Sequence, residues 1–136
     1  MQPDRSARQN FDARILVADD DPLFLDTVAR ALSTAGFENI TAATGQEACA
    51  AIGSDKPDLI ILDCGLENPS ELGIMDSLQR SSAKLPVIIL SARRGEWHNR
   101  VMQLFGAKSV LVKPVTSEEL IRQVRGLLSI RGAYDG

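Results

Sequence analysis

Residues that usually announce specialised chemistry are scarce in this chain of 136. It has two cysteines, Cys49 and Cys64, and a single histidine, His98. No Cys-x-x-Cys pair occurs and no histidine stands near either thiol, so nothing points to zinc. Both cysteines read as reduced, buried thiols of a cytosolic protein. Basic charge is not in excess: 15 Lys and Arg face 18 Asp and Glu, a net of -3. That balance argues against nucleic acid being bound by this domain. No apolar run reaches the length of a membrane span. The opening "MQPDRSARQNFDA" is polar and lacks the apolar core of a secretory signal. The expectation is a cytoplasmic location without membrane contact.

What is present is ordered. The length suits one domain with a real core. Residues 1–13 read as a flexible N-terminal tail, 14–130 as the domain, and 131–136 as a C-terminal tail or the start of a linker. Short apolar runs lie at Arg14–Ala18, Asp58–Leu62, Leu85–Leu90 and Ser109–Val112, with a weaker one at Asn39–Ala43. Continuous runs of this length suit strands buried on both faces. Helical patterns lie between and after them. Pro22–Ala35 puts Leu25, Val28, Ala29 and Leu32 on one face and stops at Gly36. Gln46–Ile52 is short and alanine-rich, ending at Gly53. Ser70–Gln79 and Gly95–Phe105 follow. Thr116–Ser129 opens on a capping box, with Thr116 as cap and Glu119 three residues on. Strand and helix alternate five times, which predicts an α/β fold: a parallel sheet covered on both faces by helices.

In such sheets ligands sit beyond the carboxyl ends of the strands. The first strand runs into Asp19, Asp20 and Asp21. The third, "PDLIILD", ends in Asp63; the fourth, "PVIILSA", in Ser91; the fifth, "SVLVKP", in Lys113. Three adjacent acids are costly, since two charges about 4 Å apart repel by roughly 1 kcal/mol in water and about 4 kcal/mol near a protein surface. A hard divalent cation removes that repulsion, and Mg²⁺ suits carboxylate and carbonyl oxygens while keeping waters. A metal, an ammonium and a hydroxyl around one further carboxylate would hold the oxygens of a phosphoryl group in transfer. The carboxylate would be the nucleophile and form an acyl phosphate. Asp21, directly before Pro22, reads differently, as the N-cap of the first helix.

The set "ILVADDDP", "PDLIILD", "PVIILSA" and "GAKSVLVKPV", with "ATGQEA" after the second strand, resembles the receiver domain of bacterial two-component response regulators, over roughly Arg14 to Ser129. The resemblance implies a flavodoxin-like (βα)5 three-layer sandwich with sheet order 2-1-3-4-5. It implies Asp63 as phosphoacceptor and Asp19, Asp20 and Asp63 as ligands of Mg²⁺, for which Mn²⁺ would substitute. Gly65 would offer its main-chain carbonyl to the metal. Ser91 would bond a phosphoryl oxygen, and Lys113 would pair with Asp63 and then with the phosphate. The Lys113–Pro114 bond is expected to be cis.

Three features depart from the family pattern. In "DCGLENPSELG" Glu67 stands where proline is usual, and Pro69 and Gly73 come two residues late, which reads as a two-residue loop insertion. Val110 occupies the position, three residues before the lysine, where many receivers carry Tyr or Phe. Arg93 lies two residues past Ser91, where side chains influence loss of the phosphoryl group. Trp97, Val101 and Leu104 share one face of the Gly95–Phe105 helix; that face is the candidate for a homodimer or partner contact, and His98 beside it reads as a surface residue.

The resulting expectation is a signalling receiver, not a turnover enzyme. It would take a phosphoryl group from a sensor histidine kinase or a histidine phosphotransfer protein and pass the change to a downstream target that the sequence does not name. One alternative is a pseudo-receiver that docks without being phosphorylated. Another is a haloacid-dehalogenase-like phosphatase, since "DDD" contains Asp-x-Asp with Asp19 first. The late acidic pair and the cap insertion of such enzymes are missing.

Overall fold

The computed structural model describes residues 13–63, 74, 77–78, 80, 85–91 and 109–135, with side chains from 130 onward outside the description. Five strands form one parallel sheet: β1 (Arg14–Ala18), β2 (Glu38–Ala42), β3 (Leu59–Asp63), β4 (Val87–Ser91) and β5 (Ser109–Val112). Their order is β2-β1-β3-β4-β5, as the resemblance implied. Three full helices are described: α1 (Pro22–Thr34), α2 (Gly45–Ser54) and α3 (Ser117–Asp135). Ile74, Ser77, Leu78 and Arg80 are also helical, between β3 and β4. The expected Gly95–Phe105 helix lies outside the described residues.

Burial explains the composition of the strands. β3 and β4 are buried at every position, while edge strands β2 and β5 are mostly half-buried. Side chains alternate across the sheet with period two. Ile15 and Val17, Leu59 and Ile61, and Ile88 and Leu90 pack with Leu25, Val28 and Leu32 of α1 and with Leu120 and Val124 of α3. Leu16, Ile60, Leu62, Val87 and Ile89 face the other way, onto Ala48, Ala51 and Ile52 of α2 and onto Ile74. The result is three layers, helix on sheet on helix.

Several helix boundaries moved from their expected places. The face assigned to α1 holds for Leu25, Val28 and Leu32, with Ala29 at its margin. Gly36 takes φ 96°, a left-handed stop that suits glycine. Gly53 does not end α2. The helix runs on through Ser54, and the left-handed position falls on Lys56 at φ 49°. α3 passes Ser129, where the helical pattern was expected to end, and continues to Asp135. The glycines in this stretch cost helix propensity, but no proline is there to break the ladder. Cys49 is a free thiol, half-buried where full burial was expected, because α2 turns it to the rim of the α2-side core. Cys64 lies outside the described residues. Among the described residues no helix is long and apolar enough to cross a membrane.

Candidate phosphoryl-transfer site

The strand register collects the acidic residues. Ala18 pairs with Leu62, so Asp19 and Asp63 stand next to each other, one step past that pair. The Asp19 N–H donates to the Ala42 carbonyl at 3.0 Å, extending the β1–β2 ladder by one residue. Period-two alternation puts Asp19 and Asp63 on the α1 and α3 face of the sheet. Lys113, two residues after Leu111, falls on that face too. Ser91, buried at the end of β4, follows the alternation of Val87 and Ile89 onto the opposite face.

The β1–α1 connection is built by side-chain capping. Asp21 is extended, and its carboxylate accepts from the Leu23 N–H at 3.0 Å, with Pro22 opening the helix. This is the N-cap the sequence predicted. Asp19 Oδ1 accepts from the Asp21 N–H at 2.9 Å, which folds the chain sharply and leaves Asp20 exposed.

Lys113 joins the two buried acids. Its Nζ lies 3.0 Å from Asp19 Oδ2 and 3.2 Å from Asp63 Oδ1. The sequence reading paired it with Asp63; the structure adds Asp19, at the shorter distance. The Lys113 N–H also donates to the Ser91 carbonyl at 2.8 Å, and the bond to Pro114 is cis. Partial burial alone would lower the lysine pKa. The hydrogen bond that Lys113 donates to Asp19 and the charges of Asp63 and Asp19 outweigh that effect and raise it above its ordinary value. One further residue was not anticipated: the Phe24 ring lies beneath the ammonium, with its centroid 4.7 Å from Nζ. Phe24 sits in the first turn of the helix that follows the acids, so its nearness to the strand end was legible; its pairing with a side chain 89 residues away was not.

Carboxylate oxygens of Asp19, Asp20 and Asp63 all lie within 4.8 Å of one another. Three negative charges against the one ammonium leave a net of about -2 in the cluster. Hard oxygen donors with a surplus of that size fit a divalent cation such as Mg²⁺. Gly65, the "DCGLENPSELG" loop, Arg93, Trp97 and His98 lie outside the described residues. Val110 is half-buried against the α2-side core.

Comparison with known proteins decides the family. The response regulator receiver domain family matches residues 15–125. This chain belongs to it. Among curated relatives, the transcriptional regulatory protein PrrA of Mycobacterium tuberculosis is 37% identical over 121 residues, covering 88% of this chain and 52% of PrrA. The phosphate regulon transcriptional regulatory protein PhoB of Pseudomonas aeruginosa is 35% identical over 124 residues, covering 89% of this chain and 54% of PhoB. The chain thus spans about half the length of these curated relatives. Among solved structures, the receiver domain of the Francisella response regulator 1452 superposes with a TM-score of 0.78 at 27% identity, over 88% of this chain and 99% of that one. The family assignment displaces the phosphatase alternative and makes this a receiver of the two-component type.

Proposed function

We propose that this receiver takes a phosphoryl group onto Asp63 and uses it to switch a partner-binding surface. The observation that carries the reading is Lys113, whose ammonium bridges buried Asp19 and Asp63 with Asp20 alongside. Lys113 holds Asp63 Oδ1 at 3.2 Å, which leaves Oδ2 as the oxygen not engaged by the ammonium. We assign Oδ2 as the nucleophile. It attacks the phosphorus of a phosphohistidine on a sensor kinase or phosphotransfer protein. A P–O bond forms, the P–N bond breaks, and the electron pair leaves with the imidazole, which takes a proton from solvent. Mg²⁺ held by Asp19, Asp20 and Asp63, with the Gly65 carbonyl, would offset the carboxylate and phosphoryl charge.

The same residues read out the product. Phosphorylation adds charge and strong acceptor oxygens. Lys113 exchanges its Asp63 contact for one of them, and the Ser91 hydroxyl donates to another. Because the Lys113 N–H is bonded to the Ser91 carbonyl, the ends of β4 and β5 answer together. Val110 has no ring to swing, so the switch runs through Ser91 and the segment after it, not through an aromatic rotamer. Hydrolysis of the acyl phosphate resets the site, which makes the protein its own substrate.

The test is labelling by a small phosphodonor such as acetyl phosphate, followed by intact mass. Wild type should gain one phosphoryl group with Mg²⁺ and none with chelator, and Asp63→Asn should gain none. A wild-type protein unlabelled under all conditions would favour the docking-only alternative.

A further inference from the structure

We infer that Phe24 is a positioning residue for phosphoryl transfer, holding the Lys113 ammonium over the two buried acids. This rests on the reading of Lys113 and Asp63 given above. Lysine is a compact charge on a flexible four-carbon stem, so two carboxylates do not by themselves define where it sits. Among the described residues the ammonium meets three partners: Asp19 Oδ2, Asp63 Oδ1 and the ring of Phe24. A centroid distance of 4.7 Å is well inside the range of about 6 Å over which a ring face attracts a cation.

The ring itself is fixed. Phe24 follows the Asp21 cap and Pro22 in the first turn of α1, and it packs against the core between α1 and the sheet. Phe24 also lines a small cavity, about 200 Å³, with Leu23, Thr27, Val115 and Leu120. Phe24 therefore ties the first turn of α1 to the end of β5.

The chemistry gives the contact a purpose. During transfer Lys113 must release one oxygen of Asp63 and follow the phosphoryl group. A hydrogen bond resists such a move because it is directional. The face of a ring attracts the cation over a range of positions, so Phe24 retains the ammonium while its oxygen partners change. A leucine would fill similar space but offer no negative face.

The experiment compares wild type, Phe24→Leu and Phe24→Tyr. The first readout needs no phosphorylation: the NMR shifts of the Lys113 ε-methylene protons in metal-free protein. They should be moved upfield by the ring in wild type and Phe24→Tyr, and return to the ordinary lysine position in Phe24→Leu. The second is labelling by acetyl phosphate with saturating Mg²⁺. Phe24→Leu should lower the rate at saturating donor three- to tenfold with little change in the donor concentration for half-maximal rate, and Phe24→Tyr should restore it. An unshifted Lys113 in wild type, or a wild-type labelling rate in Phe24→Leu, would overturn the inference. If Asp63 fails to label in all three proteins, the reading of Asp63 fails, and the NMR shifts still decide whether Phe24 holds the lysine.

Discussion

Lys113 shows how one side chain can serve stability and function together. Remove its charge and Asp19 and Asp63 face each other buried, with only solvent ions to separate them. Lys113→Met is expected to lower the unfolding free energy of the metal-free protein by about 1–2 kcal/mol, less than the roughly 3–5 kcal/mol for fully buried pairs. The Lys113 side chain keeps 29% exposure, so solvent screens the pair. Chemical denaturation at neutral pH measures the loss. The pH dependence follows from the direction of the shift. Folding raises the lysine pKa, so the folded state binds the proton more tightly than the unfolded chain. The stabilisation is complete below the ordinary lysine pKa and disappears as pH climbs through the higher folded value. The difference between wild type and Lys113→Met should stay level from neutral pH to that region and shrink beyond it. A difference that shrinks on acidification from neutral to mildly acidic pH would mean that another group dominates.

At the scale of elements, the caps show what a sequence can and cannot disclose. A capping box was expected at Thr116 and Glu119. Half of it forms: Thr116 Oγ1 accepts from the Glu119 N–H at 3.0 Å, while the Glu119 carboxylate turns to Arg122 and Gln123. A fuller box stands unannounced at α2. There Thr44 Oγ1 accepts from the Glu47 N–H at 3.1 Å, and Glu47 reaches back to the Ala43 N–H at 2.8 Å. Both stretches carry the same Thr-x-x-Glu spacing; neighbouring side chains decide where the glutamate goes. Thr44→Ala should therefore cost about 1 kcal/mol of stability. Thermal or chemical unfolding would detect it, and a loss below a few tenths would show the cap to be redundant. Strands were easier to read than helix ends. The centres of β1, β3 and β4 are unbroken runs of isoleucine, leucine and valine, whereas α2 runs on past Gly53 and α3 past Ser129, because a single glycine costs a helix only about 1 kcal/mol.

At the scale of the whole molecule, the site exists only because the sheet closes in the right order. Asp19 and Lys113 are 94 residues apart and meet at 3.0 Å. That acids, serine and lysine would share one edge was legible, since each ends a strand in a parallel sheet. The strand order came from the family resemblance and not from periodicity. What stayed hidden were contacts that depend on side-chain reach: Lys113 to Asp19, and Lys113 to Phe24. The central claim is that Asp63 alone receives the phosphoryl group. Reductive trapping tests it most directly. Protein treated with acetyl phosphate and Mg²⁺ is quenched with borohydride, which converts an acyl phosphate to homoserine, and peptides are mapped by mass. Homoserine at position 63 and nowhere else is the expected result. Homoserine at Asp19 or Asp20, with Asp63 intact, would contradict the account.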